Sequence, residues 1–265
     1  MFTSLLSEAS PALTADLNTY YDALAEHHAL LFRDWRAALQ RESAALRRLL
    51  RQSKARRVLD ASASVGLHAI ALAMNGARVT ALCPTPTMLQ RAQQNAAQFK
   101  LQEAITFLHA DLPTLGEALT DSFDLALLKG GVLANWLTEE TIHAALDNLR
   151  SRLRPQGTLV LSLPAFDLLL EDRPRFVPRH VHDDLPDGRA ILFDLYDWQM
   201  TEPPSVLHSI FVVTGKDDSF ATARFGALRR ALRRAELERL LSAVGFETLS
   251  AETSGWELHV TAQRA

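Results

Sequence analysis

The sequence predicts a doubly wound α/β fold with a mainly parallel sheet. From Val58 onward, short apolar strands alternate with amphipathic helices, which is typical of right-handed βαβ units with helices on both faces. The first unit, VLDASASVGLHAIALA (58–73), has the strand, acid, tight turn and helix of a nucleotide-binding motif. Composition agrees, since 48% of the 265 residues are hydrophobic and supply a large core.

The N-terminal part is predicted to be helical. Apolar residues recur at spacings of three and four from 14 to 52, which predicts helix throughout that segment. We therefore expect residues 1–52 to form a helical cap on the rest of the chain.

Strands and helices then alternate in five βα units. Strands are predicted at 58–59, 78–82, 105–108, 123–128 and 157–163, and helices at 64–74, 86–100, near 113–119 and 138–153. Residues 53–163 are therefore predicted to form a Rossmann-like domain, which residues 226–265 complete.

The pattern changes after Leu163. Residues 164–188 are rich in Pro, Asp and Arg, and 189–199 and 205–214 alternate like antiparallel strands. We predict a β-rich insertion lobe over 164–225, at the edge of the parallel sheet. A helix at about 233–243, with Gly245 as its C-cap, and the strand-like ELHVTAQ close the chain with an antiparallel hairpin.

Charge and cysteine content argue against several classes of function. The net charge of −3 gives no basis for non-specific nucleic-acid binding. The single cysteine, Cys83, rules out a disulfide within the chain and argues against a thiolate zinc site. No segment has the order of a signal peptide or the length of a membrane span. We expect a cytoplasmic protein without nucleic-acid or membrane partners.

Several strings, in this order, resemble the class I S-adenosylmethionine-dependent methyltransferases, and within that class the glycine/sarcosine N-methyltransferase group. Besides the motif at 58–73, they are YYDALAEHHALLFRDW (20–35), VTALCPTPTMLQRA (79–92), HADLPTL (109–115), FDLALLKGGVLANWL (123–137), LRPQGTLVLSL (153–163), RPRFVPRHVHDDLPDGR (173–189) and RALRRAELERLLSAVGFETL (230–249). The resemblance implies a seven-stranded, methyltransferase-type sheet and S-adenosylmethionine as cofactor. Members of the family often assemble, so a homo-oligomer is one expectation, and a hetero-oligomer with an active relative is the expectation if the fold is degenerate.

The resemblance implies a cofactor site at the ends of the strands and of the N-terminal helices. Its members are Tyr21, Trp35, Asp60, Ser62, Ala63, Ser64, Gly66, Cys83, Pro84, Met88, Asp111, Leu112, Lys129 and Gly130. Tyr21, Asn135 and Pro164 are the implied acceptor-binding positions. No catalytic residue is singled out, because displacement at a sulfonium depends on alignment more than on acid–base help, and no metal is expected.

Four of these positions depart from the family's pattern. The family has glycine where Ser64 stands, and an acid that binds the ribose hydroxyls where Cys83 stands. Lys129 would repel a sulfonium unless it points outward or meets a carboxylate. Pro164 replaces the arginine that holds the carboxylate of an amino-acid substrate, which argues against glycine or sarcosine as acceptor.

Several residues also have purely structural interpretations. Tyr21 and Trp35 fit the core of an amphipathic helix, Asp60 fits a cap on the amides of the first helix, and Cys83 fits a small buried residue. Arg41 either reaches the methionine carboxylate of the cofactor or is solvated, and His68 is expected on a helix surface near the mouth of the pocket. HVHDD (180–184) fits a turn before a strand better than a metal site.

Three functions therefore stay open. The first is N-methylation, or else O- or C-methylation, of a small molecule. The second is a degenerate methyltransferase fold that acts as a binding or partner subunit. The third is an unusual reaction in which the cofactor itself is cyclised or cleaved.

Overall fold

The computed structural model describes residues 16–116, 119–186, 188–216 and 219–265. The first two residues of the predicted helix at 14–52, and two residues of the one near 113–119, lie outside these ranges. In the described residues the helices are α1 (Leu17–Leu31), α2 (Trp35–Ser53), α3 (Leu67–Met74), α4 (Pro86–Gln98), α5 (Glu139–Arg152), α6 (Phe166–Asp172) and α7 (Arg234–Ala243). Short 3-10 turns lie at Leu112–Thr114 and Val132–Asn135.

The strands fall into two sheets. They are β1 (Arg57–Asp60), β2 (Arg78–Cys83), β3 (Ile105–His109), β4 (Phe123–Leu128), β5 (Leu153–Pro164), β6 (Phe176–Leu185), β7 (Gly188–Gln199), β8 (Ser205–Lys216), β9 (Ser219–Arg230), β10 (Phe246–Ser254) and β11 (Glu257–Arg264).

The first sheet has seven strands in the order β10-β11-β5-β4-β1-β2-β3. β1 pairs in parallel with both β2 and β4, and β11 runs antiparallel between β5 and β10. The fold class, a doubly wound and mainly parallel sheet closed by a late hairpin, is therefore confirmed. The chain reverses direction across the sheet between β1 and β4, and in such sheets ligands bind at the carboxyl ends of the two strands that flank the reversal.

The N-terminal segment is two helices, so the prediction of one continuous helix is wrong. α1 ends with Phe32 in an extended conformation, and Asp34 caps α2 by accepting a hydrogen bond from the amide of Ala37 at 3.0 Å. The Trp35 ring packs edge-on against His28 and Phe32 at the corner between the helices. The N-cap aspartate is the sequence signal for this break.

The second sheet is antiparallel, with the order β6-β7-β8-β9. The predicted strands correspond to β7 and β8, whereas β6, β9 and α6 were missed. β6 is an edge strand that contains Pro178 and has irregular register, which hides its alternation in the sequence. At β9, the ring of Phe225 lies 6.5 Å from that of Tyr20 on α1, so this sheet reaches the N-terminal helices.

The core of the seven-stranded sheet has two parts, one on each face. One contains Leu59, Leu128 and Phe166, and the other contains Val58, Ile70 and Leu127. Val58 and Leu59 belong to different parts because successive side chains of a strand point to opposite faces. None of the helices in the described ranges is long and apolar enough to cross a membrane.

Candidate functional site

A chamber of about 660 Å³ lies at the carboxyl ends of β1, β2 and β4, beneath α1 and the second sheet. Its size falls in the usual range for small-molecule sites. The predicted site residues that line it are Tyr21, Ser62, Ala63, Ser64, Pro84, Met88, Asp111, Leu112, Lys129, Gly130 and Asn135. The chamber lining also includes residues that the sequence did not predict, among them Glu42, Arg179 and Arg229.

The turn after β1 is held by Asp60, which is completely buried below the chamber floor. Its Oδ1 accepts a hydrogen bond from the amide of Ser62 at 3.2 Å, whereas Oδ2 is buried without a partner among the described residues. Burial raises the pKa of Asp60 to about 7, against the opposing effects of Ser62 and Lys129. Asp60 is not a helix cap, because the N-cap residue of α3 is Gly66 and no side chain caps this helix.

The same turn has the backbone of a glycine-rich loop. Ser64 has a φ of +49°, in the left-handed region that costs a non-glycine residue about 1–2 kcal/mol. Gly66 has a φ of +95°, and its amide donates to the carbonyl of Ala63 at 2.7 Å. Gly66 therefore shapes the turn and does not line the chamber, contrary to its predicted place in the cofactor site.

Lys129 pairs with Glu42 of α2 inside the chamber. The backbone amide of Lys129 donates a hydrogen bond to Ser62 Oγ at 2.8 Å and so ties the ends of β1 and β4 together. Burial opposes the ionisation of Glu42, but His68 and Lys129 outweigh it and hold the pKa of this carboxyl below its ordinary value. From the sequence, Lys129 was expected to repel a sulfonium unless it pointed outward or met a carboxylate, and Glu42 is that carboxylate.

His68 lies against the same pair. Its Nε2 is 3.7 Å from Glu42 Oε1, and its side chain is mostly buried. Burial, with the charge of Lys129, lowers the pKa of His68 to about 4, so the ring is neutral at pH 7. His68 was expected on a helix surface near the mouth of the pocket: it does line the chamber, but its side chain is mostly buried and not on the surface. Arg41, one residue before Glu42, is exposed and does not line the chamber.

Tyr21 of α1 and Asn135 form the roof of the chamber. Asn135 Nδ2 donates a hydrogen bond to the hydroxyl of Tyr21 at 3.1 Å. Burial raises the pKa of Tyr21 to about 12, although the hydrogen bond from Asn135 opposes this. The hydroxyl therefore stays protonated at neutral pH.

Asp111 and Leu112 line the chamber after β3, opposite Pro84 and Met88. Burial raises the pKa of Asp111, and its backbone bond with Leu112 opposes this rise. Cys83 does not face the chamber: it is completely buried, and its thiol donates to the carbonyl of Ser64 at 3.7 Å. Burial and the nearby Asp60 raise its pKa to about 12.

Two other predicted site residues lie outside the chamber lining. Trp35 packs at the corner between α1 and α2, as its structural interpretation proposed. Pro164 packs behind the loop after β4, where a Cβ on Gly131 would lie only 2.9 Å from its Cδ. Pro164 therefore lies against Gly131 and outside the lining of the chamber, contrary to its predicted place at the acceptor.

A side cavity of about 380 Å³ adjoins the chamber on the side of the second sheet. The two cavities share Tyr20, Gly130, Arg179 and Arg229 among their walls. Only the side cavity is also lined by His28, Leu31, Tyr196, His208 and Ile210. The arrangement provides room for two ligands that meet near the loop after β4.

The histidines of HVHDD have a structural partner. His180 Nε2 and His182 Nε2 lie 2.8 Å and 3.0 Å from the carbonyl oxygen of Leu30, near the end of α1. In the described residues no group of three or more His, Cys, Asp or Glu is placed to hold a metal ion. These histidines lie in β6, not in a turn.

The structure and a family match agree on the nature of the fold. Residues 58–157 match the model of a family described as a methyltransferase domain. Over this stretch the chain is similar to a methyltransferase domain. The resemblance to S-adenosylmethionine-dependent methyltransferases found in the sequence is thereby confirmed. The cofactor of these enzymes is S-adenosylmethionine.

Similar proteins extend the picture beyond the methyltransferase domain. Over 139 residues the chain is 27% identical to a glycine/sarcosine N-methyltransferase from Aphanothece halophytica, covering 52% of each protein. The chain thus aligns with about half the length of this curated relative. An S-adenosylmethionine-dependent methyltransferase from Clostridium acetobutylicum has a TM-score of 0.71 at 11% identity, over 92% of this chain and 97% of that one.

A third similar protein is an amino pentose methyltransferase from Micromonospora echinaspora, involved in calicheamicin biosynthesis and solved with S-adenosylmethionine bound. It has a TM-score of 0.67 at 20% identity, over 92% of this chain and 96% of that one. At such identities the likeness to solved structures establishes the fold alone. With 92% of the chain covered in both comparisons, this likeness extends beyond residues 58–157.

Proposed function

We propose that the chain binds S-adenosylmethionine in the chamber and transfers its methyl group to a small-molecule acceptor. Nitrogen is the expected acceptor atom, with oxygen and carbon as alternatives. The observation that carries the proposal is the Lys129–Glu42 pair, which stands in the chamber at the carboxyl ends of β1 and β4 in a methyltransferase domain.

The methionine end of the cofactor fits this pair. A free amino-acid group carries one carboxylate and one ammonium, and Lys129 and Glu42 offer one charge of each sign. Lys129 would hold the carboxylate, and Glu42 the ammonium. The unpartnered Oδ2 of Asp60, directly below, supplies a further negative charge when it is ionised. The residues present therefore match a zwitterion better than they match a ligand of one sign.

The adenosine end fits in part. Asp111 would accept a hydrogen bond from the adenine amino group, between the apolar walls of Leu112 and Met88. The ribose site lacks the acid that the family places after the second strand. Cys83 stands at that position, and it is buried. Each charge-assisted hydrogen bond lost in this way weakens binding by about 1.5–3 kcal/mol. We therefore expect looser cofactor binding than a complete ribose site gives.

When bound, S-adenosylmethionine supplies a methyl group on a sulfonium, which reacts by in-line displacement. The chain's own residues align the reactants and exclude water, and this accounts for most of the rate in such a reaction. Tyr21 stays protonated, so its hydroxyl orients an acceptor by hydrogen bonding and does not act as a base at neutral pH. Asn135 fixes the direction of that hydroxyl.

The acceptor is expected to differ from glycine and sarcosine. Pro164 stands where the resembling family has its carboxylate-binding arginine, and it packs behind the chamber wall. The side cavity adds room beyond what a molecule as small as glycine needs. The amino pentose named for one fold relative is an example of a larger amine acceptor.

The test is methyl transfer itself. Purified protein is incubated with methyl-labelled S-adenosylmethionine and a panel of small amines, and labelled products and S-adenosylhomocysteine are quantified. Product that Asn135→Ala reduces at least about tenfold supports the proposal, and exposed His143→Ala is the matched control. Methylthioadenosine without methylated product would instead indicate cleavage of the cofactor. Cofactor binding without any turnover would indicate the non-catalytic binding or partner subunit.

A further inference from the structure

We propose that the acceptor is an anionic amine, whose carboxylate or phosphate group is held by Arg229 where the side cavity joins the chamber. This inference rests on the proposed function, because it names the class of molecule that receives the methyl group. It uses residues of the second sheet that the cofactor proposal leaves unassigned.

Arg229 carries a charge without a counter-charge. One guanidinium nitrogen, Nη2, donates to the hydroxyl of Tyr20 at 3.2 Å. The Nε atom is buried and has no hydrogen-bond partner, and in the described ranges no carboxylate lies within 4.0 Å of the guanidinium. A half-buried guanidinium in this state is costly, and an anionic ligand would remove that cost.

The neighbouring groups leave that charge uncompensated. Arg179 Nε donates to both oxygens of Asp194 at 2.8 Å, so each of these charges is already neutralised by the other. His208 Nε2 lies 3.2 Å from the same carboxylate. Burial, with the charge of Arg229, lowers the pKa of His208 to about 4, so it is neutral at pH 7. Among the described residues, the lining of the side cavity contains no carboxylate, so its net charge is positive.

Arg229 is also placed where an acceptor must lie. It lines both cavities, and its Nη1 is 4.0 Å from the position that a Cβ on Gly131 would take. The guanidinium is therefore beside the loop that follows β4. The cofactor's methionine end already has Lys129 as its cation, at the other side of Gly130. The second cation is thus available to the acceptor.

The fork of a guanidinium suits planar carboxylates and phosphates, which accept two parallel hydrogen bonds. Tyr20 and Tyr196 add hydroxyl groups to the walls of the side cavity, and His28 and Leu31 add less polar surface. An amine that carries an anionic group a few bonds away matches this combination. Neutral amines lack the group that would satisfy Arg229.

The experiment compares amines in matched pairs that differ only in the anionic group. The probes are β-alanine against β-alaninamide, phenylalanine against phenylalaninamide, and O-phosphoethanolamine against ethanolamine. Calorimetry measures their Kd values with the full chain, both with saturating S-adenosylhomocysteine and without it. The variants are Arg229→Gln, Arg229→Lys and Arg224→Gln. Arg224 is an exposed arginine on the opposite face of the same strand and serves as the control.

The expected result is at least one pair whose anionic member binds about tenfold or more tightly, with the carboxylate and phosphate pairs telling the two chemistries apart. Arg229→Gln removes this preference, Arg229→Lys keeps part of it, and Arg224→Gln leaves it unchanged. An unchanged Kd for S-adenosylhomocysteine in Arg229→Gln shows that the variant is folded and that Arg229 does not serve the cofactor.

Three results would overturn the inference. They are equal binding of both members in every pair, a preference for anions that survives Arg229→Gln, and a loss of S-adenosylhomocysteine binding in a folded Arg229→Gln protein. Failure of the proposed function looks different, because the wild-type chain would then bind no S-adenosylhomocysteine, or would bind it and methylate no acceptor. If anionic amines were still preferred in that case, and the preference depended on Arg229, the anion site would stand. Only its link to methyl transfer would be rejected.

Discussion

At the residue scale, Asp60 combines complete burial with an oxygen that has no partner. Such a carboxyl is costly to ionise unless a positive charge arrives beside it. In the proposed function, the ligand's ammonium group, held by Glu42 above the floor of the chamber, would bring a positive charge nearer to this carboxyl. This makes Asp60 a reporter of ligand binding as well as a support for the turn.

The affinity for S-adenosylhomocysteine is expected to rise with pH up to about 7 and then to level off. Asp60 has a raised pKa of about 7 and must lose its proton to favour an ammonium, so each pH unit below 7 weakens binding by up to about tenfold. His68 does not titrate in this window, since its pKa is about 4. Calorimetry from pH 5.5 to 8.5 measures the profile. Asp60→Asn is expected to flatten it, and an unchanged profile in that variant would assign the titration to another group.

Cys83→Asp is expected to destabilise the protein by at least about 2 kcal/mol, because it places a carboxyl in a fully buried site beside Asp60. Urea denaturation of this variant and of Cys83→Ala, the control that leaves no polar group, measures the difference. If Cys83→Asp is as stable as the control and binds S-adenosylhomocysteine more tightly than wild type, the position faces the ribose after all.

At the scale of elements, α1 is held in place from two sides. His180 and His182 of β6 contact the carbonyl of Leu30, and Tyr21 contacts Asn135. The second sheet and the first sheet therefore fix the same helix. The roof of the chamber depends on both.

Replacing both His180 and His182 with alanine is expected to loosen the end of α1 without unfolding the sheet. Hydrogen exchange of the last-turn amides of α1 should speed up by about tenfold, the equivalent of losing one or two modest hydrogen bonds, while β1 and β4 exchange as before. Exposed His143→Ala is the control. Equal acceleration in β1 would mean that the pair supports the whole fold and not the roof.

Sequence patterns predicted the elements well where the pattern was local. Helix periodicity and strand alternation predicted β1 to β5, β7, β8 and α7, because the pattern of apolar residues within each of these segments reflects which of its side chains are buried. The break at Phe32–Asp34 and the edge strand β6 were missed, because a cap and an irregular edge interrupt the periodicity only briefly. Glu42 and Arg229 were missed for another reason: their place in the site depends on how distant elements meet.

At the scale of the whole molecule, the charges in the two cavities are arranged by sign. The chamber is lined by the Lys129–Glu42 pair and by Asp111, and Arg229 stands where the side cavity joins the chamber. A zwitterionic cofactor end and an anionic acceptor would complement this distribution. Ser64, Cys83 and Pro164 differ from the residues of the resembling family. These differences alter the walls of the chamber locally, and the chamber itself is still formed.

Calorimetric titration of the chain with S-adenosylhomocysteine tests the central claim most directly. Wild type is expected to bind with a Kd in the micromolar range, Lys129→Met to bind about 10–100-fold more weakly, and Lys216→Met, an exposed lysine of the second sheet, to match wild type. Absence of detectable binding by the folded wild-type chain at millimolar ligand, or equal affinities for wild type and Lys129→Met, would contradict the account.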